Sequence, residues 1–107
     1  ESKAIDPATM NRVLAEFQLH DKLSKEDLSK LRELTDEAQK LHKDNDNSAA
    51  EHIFEQVLET DPVNFESLIT LGKLKYFKGE LEMARDLFDR ALVVRPELEK
   101  TMYRLGR

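Results

Sequence analysis

An interval of 34 residues organises this chain. Pro62 and Pro96 stand 34 apart. The same shift pairs Phe54 with Phe88, Ala50 with Ala84, Leu58 with Leu92, Val57 with Ala91 and Leu34 with Leu68. It sets Ala38 against Gly72 and Asn45 against Gly79. A further step carries Leu68 to Met102, and Leu71-Gly72 to Leu105-Gly106. Large apolar residues recur where side chains would be buried, small ones where two backbones must approach, and turn formers between them. Such a chain folds as a stack of like units, none of which buries its apolar face alone.

Within each period the apolar spacing is helical. Ser24 precedes a run with Leu28, Leu31, Leu34, Ala38 and Leu41 on one face, ending near Lys43. Ser24 with Asp27 reads as a capping box, and Leu23 with Leu28 as a hydrophobic staple. Asp44-Asn45-Asp46-Asn47 is a turn in which Asn45 best tolerates a left-handed backbone. Ser48 with Glu51 reads as a second capping box, opening a helix that buries Ala50, Ile53, Phe54, Val57 and Leu58. It stops before Asp61-Pro62. Asn64 caps the next helix, with Leu68, Leu71, Gly72 and Leu74 inward, and Gly79 breaks it. Leu81, Ala84, Leu87, Phe88, Ala91 and Leu92 mark a helix that ends before Pro96. A short helix over about 97–105 presents Met102 and Leu105. Only three Gly and three Pro interrupt the chain, so an all-α fold is expected.

The period, with its small, aromatic and Pro residues at these places, resembles the tetratricopeptide repeat family. The resemblance covers two repeats, 31–64 and 65–98, and the opening of a third at 99–107. The second matches better, through Leu71-Gly72, Gly79, Ala84, Phe88, Ala91 and Pro96. The first departs at Glu37, where the family usually has an apolar residue, and Lys75 replaces a usual aromatic, with Tyr76 beside it. The resemblance implies an α-solenoid of tetratricopeptide-type helical hairpins over 24–107, with 1–23 as an extra N-terminal helix. Residues 1–30 do not fit the repeat. Asp6 caps a helix begun by Pro7, and Met10, Val13, Leu14 and Phe17 form one apolar stripe. It is expected either to cover the exposed end of the stack or to bind a partner or a second copy.

Family members bind along a concave groove lined by the first helix of each repeat. Carried onto this chain, that set comprises Arg32, Thr35, Asp36, Gln39, His42 and Lys43, then Glu66, Ile69, Thr70, Lys73, Tyr76 and Phe77, then Lys100, Tyr103 and Arg104. Of these, Arg32, Gln39, Lys43, Ile69, Lys73, Tyr76, Phe77, Lys100, Tyr103 and Arg104 are the expected partner-binding residues. Basic residues outnumber the two acidic ones, Asp36 and Glu66, although the chain carries a net charge of -5. Such a surface suits an extended acidic peptide with an apolar anchor. One subfamily clamps two carboxylates with Lys and Asn side chains. Lys100 and Arg104 have the types it needs, but Thr35, Gln39 and Thr70 stand where its Lys and two Asn belong, so the clamp is not met.

The implied function is a peptide-binding adaptor or co-chaperone module. The alternative is a self-associating assembly module, a homodimer through the N-terminal helix or through an uncovered C-terminal end at Met102 and Leu105. Catalysis lacks support: there is no P-loop, no GxSxG, no HExxH and no Cys. His20, His42 and His52 are scattered and read as surface histidines. Asp44-Asn45-Asp46 lacks the Gly and distal Glu of a calcium loop. No cofactor is expected, and the acidic balance argues against nucleic acid. No stretch is long and apolar enough for a membrane span. The chain opens on Glu1 rather than Met, as a processed chain or a piece of a longer one does, and its compartment, cytoplasmic or periplasmic, stays open.

Overall fold

The computed structural model describes residues 5–98, and among these the regular structure is entirely helical. In chain order it contains α1 (Pro7–Asp21), α2 (Lys25–Lys43), α3 (Asn47–Thr60), α4 (Phe65–Phe77), α5 (Leu81–Val94) and a 3₁₀ turn, Pro96–Leu98. The expected continuation over about 97–105 lies mostly outside the described residues.

Side-chain caps start four of the five helices. Asp6 accepts from the Ala8 amide at the head of α1. Ser24 and Asp27 exchange hydrogen bonds at 3.1 Å, completing the capping box of α2. Asn64 accepts from the Ser67 amide ahead of α4. At α3 the expected pair of Ser48 and Glu51 is not used. Asp46 is the cap, accepting from the Ala49 amide at 3.4 Å, and Glu51 faces two lysines instead. The cap falls two residues earlier because Asn45 already turns the chain at φ 66°.

The period reappears in the backbone. α3 and α5 each span 14 residues and begin 34 positions apart. Their N-cap dihedrals nearly coincide, φ -89° and ψ 69° at Asp46 against φ -85° and ψ 71° at Glu80. Their C-caps do the same at Asp61 and Arg95. The turns between α2 and α3 and between α4 and α5 are the same motif. The Asn45 amide donates to the His42 carbonyl and Asp46 to Leu41, while Gly79 donates to Tyr76 and Glu80 to Lys75. This is the Schellman arrangement, with Asn45 and Gly79 (φ 86°) at its left-handed position. Turns so short fold each packed pair back on itself, giving hairpins α2–α3 and α4–α5.

The core runs through both hairpins: Ala38 from α2, Ala50 and Phe54 from α3, Leu68, Leu71 and Leu74 from α4, Leu87 and Ala91 from α5. Leu28 and Leu81, expected inward, lie 41% and 58% exposed at helix starts. α1 packs on α5, buries Val13, and touches both hairpins. Glu16 reaches Arg90 of α5 at 3.9 Å, while His20 Nδ1 sits 3.0 Å from the carboxylate of Asp61, at the end of α3. Met10 and Leu14, on the same expected stripe, remain exposed.

Candidate functional site

α2 and α4, the first helices of the two hairpins, are linked by one side-chain hydrogen bond. The Gln39 side-chain amide donates to the Thr70 hydroxyl at 3.0 Å, and both residues come from the expected groove. They therefore form a polar seam of this face. Thr35, 6% exposed, gives its hydroxyl to the Arg32 carbonyl one turn back. Ile69 is half-buried and packs onto the core. Lys73 is half-buried, while Arg32 and Lys43 are exposed. Among the described residues none of these three cations has a carboxylate partner.

At the end of α4, Tyr76 and Phe77 stand 52% and 80% exposed, with rings edge-to-face at 5.7 Å. Large aromatic surface left in water at a helix end is unusual for packing alone and common at contact sites. The described part of the face thus combines Arg32, Lys43 and Lys73, the acids Asp36 and Glu66, and one aromatic pair. Lys100, Tyr103 and Arg104 lie outside the described residues. The structure brings together Gln39 with Thr70 and Tyr76 with Phe77. It shows no contact between Arg32 or Lys43 and the α4 members of the set. His42 Nδ1 lies 3.0 Å from the Asn47 side chain, and His20 is paired with buried Asp61 rather than being a free surface group.

Two features were not read from sequence. The first is an ionic cluster between the hairpins. Lys75, 5% exposed, places Nζ 3.0 Å from Glu51, 3.5 Å from Glu55 and 3.7 Å from Glu80, and Lys78 joins Glu51 at 3.3 Å. Burial alone would push the Glu51 carboxyl up; hydrogen bonds from Lys75 and Lys78 outweigh it and hold it below the ordinary carboxylate value. Burial likewise pulls the Lys75 ammonium down, but Glu51, Glu55 and Glu80 hold it above its ordinary value. The signal was available: Lys75 falls on the buried face of α4, seven residues after Leu68 and four after Leu71, a place that demands a counter-charge.

The second is an open cleft of about 730 Å³ walled by α1, α3, α4 and α5. Its α4 residues, Leu71 and Lys75, sit two positions from Ile69 and Lys73. Two steps along a helix turn about 200°, so the cleft lies across α4 from the first face. Arg90 lines it, nearly buried, with Nη2 donating to the Pro62 carbonyl at 3.2 Å. Burial pulls the Arg90 guanidinium below its ordinary value, against the charges of Glu16 and Asp86.

Over the described residues these observations define an all-helical fold with two hairpins joined by like turns, a helix packed against them, and two differently charged surfaces. Compared with known protein families, curated proteins and solved structures, the chain finds no match. Among the described residues, no three His, Asp or Glu side chains converge as metal ligands, and no helix is long and apolar enough to cross a membrane.

Proposed function

We propose that this chain is a protein-interaction module of the tetratricopeptide type, holding an extended peptide of a partner protein along the α2–α4 face as an adaptor or co-chaperone does. The observation that carries this reading is the aromatic pair Tyr76–Phe77, left in water beside unpaired Lys73 on a face whose two helices are linked by the Gln39–Thr70 hydrogen bond. Helices already formed need little ordering on binding, so a flexible peptide bears most of the entropic cost. Unpaired cations favour acidic residues in that peptide, and the rings favour an apolar anchor.

The test is selection from a displayed peptide library, comparing the wild type with Lys73→Glu/Tyr76→Ala/Phe77→Ala. Sequences enriched on the wild type are expected to be acidic with an aromatic or aliphatic anchor, and to lose about tenfold or more in affinity for the triple variant. Thermal unfolding should change little, because both aromatic side chains are already exposed. Enriched peptides that bind both proteins equally would remove the α2–α4 face from consideration.

A second reading is self-association, which the exposure of Met10, Leu14 and Leu19 along α1 favours. Sedimentation equilibrium at high protein concentration distinguishes it: a monomer there sets self-association aside.

A further inference from the structure

The cleft behind α4 has the opposite character to the α2–α4 face. Its apolar surface is Met83, 51% exposed, and half-buried Leu58, above a floor of buried Leu71 and Leu87. Its cations are already engaged: Lys75 with Glu51 at 3.0 Å, Arg90 with the Pro62 carbonyl at 3.2 Å, and Arg12 with Glu16 at 3.5 Å. Two of its carboxylates, Glu59 and Glu82, are exposed and have no cationic partner among the described residues. Uncommitted charge at the cleft is therefore negative.

We infer that this cleft is a second docking site, for a basic amphipathic peptide segment of another protein. Two kinds of group are satisfied together by such a segment. Aliphatic side chains cover Met83 and the open part of Leu58, and Lys or Arg side chains pair with Glu59 and Glu82. An acidic peptide of the kind suited to the α2–α4 face would meet repulsion here. The two sites thus select by charge, and one can exist without the other.

The experiment uses the whole chain and a fluorescein-labelled amphipathic peptide of Leu and Lys, read by anisotropy. Binding should weaken with salt, and by about tenfold or more in Glu59→Lys/Glu82→Lys. Met83→Ser, which removes the apolar contact and leaves the charge unchanged, should weaken it as well. The matched control Glu33→Lys/Glu37→Lys, exposed on α2, should bind as the wild type does, and so should the α2–α4 triple variant. Each variant's urea midpoint is checked for folding. The inference is overturned by equal losses in the control, by no loss in the cleft variants, or by equal binding of a peptide with every Leu replaced by Ser. It is also overturned if the wild type sediments as a dimer that Met83→Ser dissociates, since the occupant is then a second copy.

Discussion

Gly72 lies where α4 and α5 come within a methyl group of each other. A Cβ there would sit 2.7 Å from Phe88 Cε1 and 3.0 Å from Cδ1, closer than packed carbons tolerate. The equivalent pair in the first hairpin is Ala38 and Phe54, both fully buried, so a hairpin of this design can accept the methyl if its helices sit slightly apart. That relief puts the cost for the second hairpin toward the lower end of the overpacking range. Gly72→Ala is expected to destabilise by about 1 to 2 kcal/mol in urea unfolding, the clash exceeding the roughly 1 kcal/mol of helix propensity that Ala gains. In a Phe88→Leu background the clash is gone and the propensity remains, so the same change should stabilise. Two additive costs, with no change of sign, would mean that the ring is not what confines Gly72.

Elements were legible in the sequence wherever their cause is local. Asn45 and Gly79 announce the left-handed residue that ends α2 and α4, and Asp6, Ser24 and Asn64 announce caps, because each acts within a few residues of itself. The placement of α1 was not legible, since a helix outside the period has no equivalent whose neighbours it can inherit. Its stripe of Met10, Val13, Leu14 and Phe17 shows that it packs, but not on what. The answer depends on Asp61 and Arg90, charged residues distant in sequence that are both buried. The candidate face was legible as a set of residues, while its seam, Gln39 to Thr70, was not, because pairing two polar residues across repeats leaves no periodic trace. Among the described residues of α1, Val13 alone is fully buried, so one side chain dominates its docking. Val13→Asp should therefore release α1 while the hairpins stay folded. Hydrogen exchange is expected to lose protection over 7–21 and to keep it over α2–α5. Uniform loss along the chain would show that α1 and the hairpins unfold as one unit.

At the scale of the molecule, the ionic cluster ties the hairpins together: Glu51 and Glu55 belong to the first, Lys75, Lys78 and Glu80 to the second. Apolar packing between repeats is forgiving of small sliding motions, whereas a nearly buried ammonium among three carboxylates has one favourable register. Its protonation then couples to the stability of the stack. The Glu51 carboxyl is held below its ordinary value of 4.5, so its contribution is complete above that pH and is lost as the pH falls through the lowered value. Lys75 is held above its ordinary 10.5, so its contribution is complete below that and lost as the pH rises through the raised value. Both are intact between these limits. Glu51→Gln removes the charge with little change of shape, leaving buried Lys75 with weaker partners. Urea midpoints should therefore place the wild type above Glu51→Gln by a constant margin from about pH 5 to 9, with the two curves converging in acid as the wild-type carboxyl takes up its proton. If the margin were unchanged at pH 3, the loss in Glu51→Gln would come from packing rather than charge, and the hairpins would be held in register by their apolar contacts alone.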